Sequence, residues 1–448
     1  MDNISEKVKK ENIDCFLPYE EELKCHSLIL LDIFNFEDFD NLINGLNRLY
    51  ANSDIVDSSR LKEAENYIKS EDKLFKFWFL HLPLITNSLL KVKLPLGISH
   101  DLGNYINNIN ITLYGILPSM VILQVQLDLN YTFSDKINDI LYNFHNETIN
   151  TIETSKINYT ERISPKHHKE LEIKNLRISI KTEIIKFLSE YFTGYFFRLY
   201  KDNPSIIPSV ELFSLTYPIG DNDVLEWGRN LKDFFSCFST SISHDNSFKH
   251  SRYLLCRENY LETQFSNYLI FANRNFPECP EYSDFDHSIE YNIKNCSFEL
   301  LAINRFISIQ KRLVEKLNKM ISKEIRYLQK NKLNKAIENR KSLNSELFYF
   351  ERFKIEFKQY EKREVYLNRR DFIVLNGKKD FFNNLAKIID FKMDEIGNSI
   401  KTLNKYSNSV LKLNNMKYTK KNQDSVLLLT IAVIFLTVVQ IVIALTKS

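Results

Sequence analysis

Polar and apolar residues alternate along two neighbouring stretches in the first third of the chain. The alternation runs over residues 109–113 and returns over 123–129, and Gly115 and Pro118 lie between the two stretches. A period of two places successive side chains on opposite faces of a strand, and the Gly/Pro break allows the chain to reverse. The pattern predicts two adjacent antiparallel strands with one face toward water.

Helical and strand patterns are interleaved through the rest of the first 295 residues. Apolar residues recur every three or four positions over 171–200, which predicts an amphipathic helix. The segments RYLLC at 252–256 and YLIFAN at 268–273 predict further strands. We therefore expect an α+β N-terminal domain, or two small domains of that class.

From about Phe298 the spacing of apolar residues becomes helical. One stripe extends from Phe306 to Ile337, and after a break at Gly377 a second extends from Leu385 to Leu413. The second stripe leads without proline into a C-terminal apolar run, which predicts one helix over about 379–445, roughly 100 Å long. We expect the upstream helical segment to fold back on it as an antiparallel stalk, and copies of the same chain to cover the remaining apolar surface.

The C-terminal apolar run, Val426–Leu445, carries no charge and no proline. A helix of that length measures about 30 Å, which matches the hydrocarbon core of a bilayer. Its polar residues are Thr430, Thr437 and Gln440; the threonines can bond to helix carbonyls, and in an oligomer the three could line a polar path. A buried core helix is the alternative, although such helices are usually shorter or amphipathic. The run predicts a single transmembrane helix and a tail-anchored membrane protein.

Basic residues flank the apolar run mainly on one side. Lys412, Lys417, Lys420 and Lys421 precede it, and Lys447 follows it. The positive-inside rule therefore predicts a single-pass protein with the bulk of the chain in the cytoplasm, at a bacterial inner membrane. Anionic lipid headgroups of the bilayer account for the basic charge more simply than nucleic acid does, so no specific nucleic-acid partner is predicted.

Composition changes at nearly the same place as the hydrophobic pattern. All ten prolines lie at or before Pro280. Residues 301–448 carry 30 Lys and Arg against 14 Asp and Glu, whereas residues 1–300 carry 30 against 43. These changes and the patterns together predict three parts, namely an α+β cytoplasmic domain over 1–295, a helical stalk over 296–425 and a transmembrane helix over 426–445.

The sequence contains no familiar catalytic or nucleotide-binding motif, which favours a non-enzymatic role. Two acidic clusters could supply oxygen ligands to a divalent cation such as Mg²⁺, Mn²⁺ or Ca²⁺, although ordinary solvated loops have the same composition. No other cofactor is indicated. The candidate metal ligands are Asp221, Asp223 and Glu226 in GDNDVLEWG and Glu281, Asp284, Asp286 and His287 in CPEYSDFDH.

The six cysteines show no metal-binding or redox spacing. No two of them stand at the separation of a zinc knuckle or a CxxC motif. In a cytoplasmic domain we expect them to be reduced thiols in the core or on the surface. They are Cys15, Cys25, Cys237, Cys256, Cys279 and Cys296.

The segment Phe381–Leu445, with SNSVLKLNNMKYTKKNQDSVLLLTIAVIFL at the junction of stalk and apolar run, resembles the architecture of CorA-type magnesium channels. That resemblance implies an N-terminal α+β domain, helices folded back along a long stalk helix, and an oligomer. The family has a second membrane helix and a Gly-Met-Asn motif, and this chain has neither. The resemblance therefore assigns no ion-selectivity residue.

Three functional hypotheses follow from the sequence. The leading one is a tail-anchored, self-associating, non-enzymatic membrane protein that presents a cytoplasmic sensing or binding domain. The second is an oligomeric CorA-like channel or a membrane-permeabilising effector. The third is a membrane-anchored, metal-dependent enzyme that uses the acidic clusters.

Overall fold

A computed structural model of the chain describes the backbone of most of its helices and strands, and the side chains of part of these residues. The described residues are 6–17, 22–50, 58–70, 77–83, 105–153, 158–200, 203, 206–215, 232–248, 251–258, 267–274, 293, 296–329, 333–361, 373–374 and 381–446.

Nine of the described strands form one mixed sheet, in the order β11-β8-β9-β10-β7-β1-β4-β3-β2, and β5 and β6 form a separate antiparallel pair. Neighbouring strands of the large sheet are antiparallel except β7 and β10, which are parallel. The strands are β1 (Leu23–Asn35), β2 (Phe77–Pro83), β3 (Ile106–Leu117), β4 (Met120–Leu129), β5 (Thr148–Glu153), β6 (Asn158–Ile163), β7 (Ser209–Leu215), β8 (Thr240–Phe248), β9 (Ser251–Glu258), β10 (Asn267–Arg274) and β11 (Ile373–Val374).

Ten α-helices occur in the described part of the chain, together with a short 3-10 helix at Phe36–Asp38. They are α1 (Glu6–Ile13), α2 (Phe39–Tyr50), α3 (Ser58–Lys69), α4 (Tyr131–Tyr142), α5 (Pro165–Tyr191), α6 (Tyr195–Tyr200), α7 (Lys232–Cys237), α8 (Glu299–Gln329), α9 (Leu333–Glu361) and α10 (Phe381–Thr446).

The two strands predicted from alternation form the hairpin β3–β4, which pairs antiparallel on either side of the predicted Gly/Pro break. The prediction that one face of this hairpin lies toward water is wrong. Gln124 and Gln126 on β4 and Asn110 and Thr112 on β3 are all buried. Alternation therefore located the strands correctly, but a polar face can also be buried when its side chains find hydrogen-bond partners, as Asn110 does at Asp128.

The amphipathic helix predicted over 171–200 is two helices. Helix α5 ends at Tyr191, Phe192 adopts an extended conformation, and α6 begins at Tyr195. The apolar spacing continues across the break because Tyr191, Phe192 and Phe196 are all buried in the same core. Periodicity records burial, and it does not reveal a short interruption of the helical backbone.

A buried carboxyl group ties the central strand β1 to the start of α6. Asp32 Oδ1 accepts hydrogen bonds from the backbone N–H of Phe196 at 2.7 Å and of Ile33 at 2.8 Å. Gly194 lies so close that a Cβ at that position would be 2.2 Å from Asp32 Oδ2. Burial raises the pKa of Asp32 to about 7, although the backbone N–H groups favour its charged form.

The chain divides into two compact units. One comprises Met1–Phe306 and Ile355–Asp390, and the other comprises Ile307–Lys354 and Phe391–Ser448. The first contains the sheet and its surrounding helices. The second is helical, and its elements come from α8, α9 and α10.

Within the helical unit, α9 runs antiparallel to α8, and α10 runs antiparallel to α9. Asn339 on α9 donates to the carbonyl of Met320 on α8, and Lys354 on α9 pairs with Asp394 on α10 at 2.7 Å. Further along, Arg340 on α9 hydrogen-bonds to Asn408 on α10. The predicted fold-back of the upstream helices along α10 is confirmed by these pairings, and the long helix is continuous from Phe381 to Thr446.

The structure contradicts the predicted membrane span. Within the part of the chain that is described, no helix combines the length and the apolar character needed to cross a membrane.

This finding corrects four expectations together. The transmembrane element of the fold class, the tail-anchored function, the single-pass assignment and the inner-membrane location all depended on that span. The channel alternative and the membrane anchoring of the enzyme alternative depended on it as well.

Candidate functional site

The acidic clusters singled out in the sequence lie outside the described residues. These are Asp221, Asp223, Glu226, Glu281, Asp284, Asp286 and His287. The divalent-cation site built on them stays a prediction. Among the residues that the structure does describe, no group of three or more His, Cys, Asp or Glu side chains is arranged to hold a metal ion.

The flanking lysines and the polar residues of the apolar run all belong to α10. Lys412, Lys417, Lys420 and Lys421 are exposed on that helix. Thr430 donates to the carbonyl of Val426 and Thr437 to that of Val433, each at 2.8 Å, as expected from the sequence. The Gln440 side chain is outside the described residues.

Two cysteines that the sequence did not connect lie together in the sheet-containing unit. Cys15 follows helix α1, and Cys237 is the last residue of α7. Both side chains are fully buried, and each thiol shifts the pKa of the other. Each thiol donates to a carbonyl four residues earlier, Cys15 Sγ to Glu11 O at 3.2 Å and Cys237 Sγ to Asp233 O at 3.3 Å.

The segment that carries Cys15 is held by an asparagine and an aromatic ring. Asn12 Oδ1 accepts from the backbone N–H of His145, and Asn12 Nδ2 donates to the His145 carbonyl, each at 2.9 Å. Phe16 packs against the rings of Tyr142 and Phe144, with centroid distances of 5.4 and 6.5 Å. These non-covalent contacts position Cys15, which forms no disulfide bond.

A fully buried lysine lies beside the thiol pair. Lys169 Nζ donates to the carbonyl of Leu141 and lies 4.5 Å from the centroid of the Phe16 ring. No carboxylate is among its partners in the described part of the chain; its electrostatic neighbours are Cys15 and Cys237. A buried ammonium group needs a compensating negative charge, and a thiolate can provide it.

A second lysine, Lys166, occupies the more exposed side of the cluster. It pairs with Asp233 on α7, with Nζ 2.5 Å from Oδ1. Partial burial opposes its charged form, but the hydrogen bond to Asp233 outweighs burial and raises the pKa of Lys166. Lys166 and Lys169 both lie in the first turns of α5, where the helix dipole also favours a nearby anion.

The backbone after Cys237 adopts an unusual conformation. Ser239 has a φ of 53°, in the left-handed region that non-glycine residues rarely occupy. Its hydroxyl donates to Glu170 on α5, and the Thr240 hydroxyl donates to the carbonyl of Phe235 at 3.0 Å. These bonds hold the end of α7, and hence Cys237, in place against α5.

The two thiols are electrostatically unequal. The neighbouring Cys237 thiol lowers the pKa of Cys15; burial opposes this effect, and the charges of Lys169 and Lys166 reinforce it. The neighbouring Cys15 thiol and burial raise the pKa of Cys237 well above its usual value. Cys15 is therefore the more acidic thiol of the pair.

Cys25 and Cys256 lack these features. Burial raises the pKa of Cys25 and of Cys256. Cys25 hydrogen-bonds Ser134, while its neighbour His26 contacts Ser214 Oγ at 2.6 Å. The Cys15–Cys237 pair is thus distinguished by having both a second thiol and two lysines nearby.

A second buried polar cluster lies between α5 and the sheet. Arg177 forms a bidentate pair with Glu211 at 2.6 and 2.7 Å and bonds Glu258 at 2.5 Å, while Asn267 also donates to Glu258. Burial lowers the pKa of Lys181, next to this cluster, to about 8. Its ammonium group donates to a backbone carbonyl and a serine hydroxyl. These groups satisfy one another, so the cluster has a structural role.

The sequence offered no signal that Cys15 and Cys237 meet. They stand in different parts of the chain, and neither lies in a spaced motif. The weak signal was the buried face of α5, which includes Lys169 among apolar residues. A lysine at a core position of an amphipathic helix indicates a buried partner, but it does not identify that partner.

Comparison with known proteins identifies no relative. No protein-family model matches the sequence, and no curated protein is significantly similar to it. The CorA resemblance stays a prediction from the sequence, and the functional argument depends on the geometry of the thiol pair.

Proposed function

We propose that the protein is a redox-responsive protein in which Cys15 and Cys237 interconvert between a dithiol and a disulfide. The observation that carries the proposal is the proximity of two buried thiols to each other and to the buried Lys169. A thiolate next to a second thiol and a cation is the arrangement from which disulfides form most readily.

The oxidant in this proposal is a low-molecular-weight disulfide, RSSR. The Cys15 thiolate attacks one of its sulfurs, forms a mixed disulfide and releases RS⁻. The Cys237 sulfur, having lost its proton to RS⁻, then attacks the Cys15 sulfur and releases a second RS⁻, which takes up a proton from solvent. Starting from the Cys15 thiolate, one RSSR is reduced to two RSH while the two cysteines lose two electrons and the Cys237 proton, and solvent supplies the second proton.

Lys169 has a specific part in this exchange. Its charge favours the Cys15 thiolate in the reduced state, and disulfide formation removes that anion. The oxidised pair is neutral, so the buried ammonium group loses its compensating charge. Oxidation should therefore lower the pKa of Lys169 further, which couples the redox state of the pair to a proton.

The disulfide would join the N-terminal segment, now held by Asn12 and Phe16, to helix α7. Access of the oxidant requires that this short segment open transiently, as terminal helices do. Because the two cysteines enclose a long loop, a bond between them stabilises the fold by about 2–5 kcal/mol in the chain-entropy account.

The test treats the full chain with glutathione disulfide and counts free thiols after denaturation. We expect two of the six thiols to disappear and a Cys15–Cys237 peptide to be found by mass spectrometry. The midpoint of guanidinium unfolding should rise on oxidation and return on reduction with dithiothreitol.

The matched variants are Cys237→Ala, which removes the pair, and Cys256→Ala, which removes a buried cysteine whose pKa is shifted by burial alone. The first should abolish the redox-dependent shift in the unfolding midpoint, and the second should retain it. Full retention of six thiols in the oxidised wild type, or a disulfide between other cysteines, would show the proposal to be wrong.

A further inference from the structure

Helix α10 carries a segment of exposed apolar side chains that has no counterpart elsewhere among the described residues. Each of these side chains is between 54 % and 67 % exposed. We call this segment the apolar collar. It consists of Val426, Leu427, Leu428, Leu429, Ile431, Val433, Ile434 and Leu436.

The collar surrounds the helix on all sides. Leu427, Leu428 and Leu429 are consecutive, and successive residues of an α-helix point about 100° apart. A helix with one apolar stripe can be covered by one neighbour, whereas a helix that is apolar all round must be enclosed. The collar therefore needs several neighbouring helices or an equivalent apolar surrounding.

The polar side chains in and next to the collar need no hydrogen bond from solvent or from a polar partner. The hydroxyls of Thr430 and Thr437 are already bonded to carbonyls of their own helix. No charged residue occurs between Val426 and Leu445. An occupant can therefore be entirely apolar without leaving a buried donor unpaired.

The same helix is covered by its own unit at an earlier position. Met393, Ile396 and Ile400 of α10 are buried, whereas the collar begins well beyond them. Helix α10 is thus covered at these positions, whereas the collar is exposed among the described residues.

The collar is large enough for a stable interface. Eight side chains at on the order of 100 Å² each give about 800 Å², which is the area that each partner contributes to a standard protein interface. We propose that the collar binds the collars of further copies of this chain, so that the protein assembles through α10 into a closed homo-oligomer.

A second copy fits the collar because it presents the same apolar segment on the same length of helix. Side-by-side copies align collar with collar, and in a closed oligomer each helix is covered on the sides that face its neighbours. The preceding lysines, Lys417, Lys420 and Lys421, then lie near their counterparts if the copies are parallel. Screening of this repulsion by salt should strengthen the assembly.

The experiment measures the mass of the full chain by sedimentation velocity over a hundredfold concentration range, at low and at moderate salt. We expect one defined oligomer that dissociates on dilution. The double variant Leu428→Lys, Leu429→Lys should raise the concentration needed for assembly at least tenfold. Met416→Lys, which changes an equally exposed apolar residue of α10 outside the collar, should change it less than twofold.

Three outcomes would overturn the inference. These are a monomer at every concentration, an assembly indifferent to the double variant, or particles that grow without a defined size. A final experiment adds neutral phosphatidylcholine vesicles to the full chain. If the chain stays monomeric and sediments with the vesicles, the collar binds lipid and not a second copy. Unchanged circular dichroism of both variants shows that folding is not the cause.

Discussion

Asp32 is a buried carboxyl group whose charge changes near neutral pH. Its pKa is about 7 in the folded protein, above the value near 4 of an unfolded aspartate. Its contribution to stability is fully present below pH 4 and is lost as the pH rises through 7. We expect the free energy of unfolding to fall over this range by up to about 1.4 kcal/mol per pH unit.

Asp32→Asn should remove this fall, because asparagine retains Oδ1 as acceptor for the N–H groups of Phe196 and Ile33 but carries no charge. The variant should be more stable than the wild type at pH 8 and not at pH 4. Urea unfolding at both values measures the difference, with Asp135→Asn on the surface of α4 as the control. A parallel pH profile for wild type and Asp32→Asn would contradict the assignment.

Arg177 is the cation that neutralises two buried carboxylates. Burial disfavours its charge, but Glu211 and Glu258 outweigh burial and raise the pKa of Arg177. Arg177→Met would leave both carboxylates buried without that partner and should destabilise the protein by about 3–5 kcal/mol. Thermal unfolding measures this loss. Lys186→Met, which breaks an exposed pair with Glu183, should cost less than about 1 kcal/mol.

At the scale of elements, two helical glycines have opposite roles. Gly45 on α2 lies against the end of α5, and a Cβ there would be 2.2 Å from the carbonyl oxygen of Tyr191. The backbone of Tyr191 cannot move aside without an energetic cost, so Gly45→Ala should destabilise the fold by about 1–3 kcal/mol. Gly397 on α10 would bring a Cβ only to 3.1 Å from the flexible end of Lys354.

Gly397→Ala should therefore stabilise the helical unit by about 0.5–1 kcal/mol, since alanine is the better helix former. Denaturant unfolding of the two variants provides the comparison, with each serving as the control for the other. Equal signs for the two changes would show that the close approach of α2 to α5 does not determine the role of Gly45.

The elements themselves were largely predictable. The apolar stripe of α10 predicted that this helix is continuous, and the alternation on either side of Gly115 predicted the β3–β4 hairpin. Both patterns are local consequences of burial. The break between α5 and α6 was not predictable. It depends on Asp32, which is distant in sequence and binds the first turn of α6.

At the scale of the whole molecule, the sequence could not supply the pairs that long-range folding creates. Nothing in the local pattern brings Cys15 to Cys237 or Arg177 to Glu258, since such contacts depend on the order of strands in the sheet. The apolar run shows a different limit. Its composition predicted a transmembrane helix, and no helix in the described part of the chain has the length and apolar character to cross a membrane.

The position of β1 in the sheet has a consequence for synthesis. This strand is made before both of its partners in the sheet, β4 on one side and β7 on the other. At about 5–20 residues per second, the ribosome needs on the order of ten seconds or more after Asn35 to reach Leu215. During that interval one edge of the nascent β1–β4 pair stays open, so chaperone engagement should be concentrated on chains that end before β7.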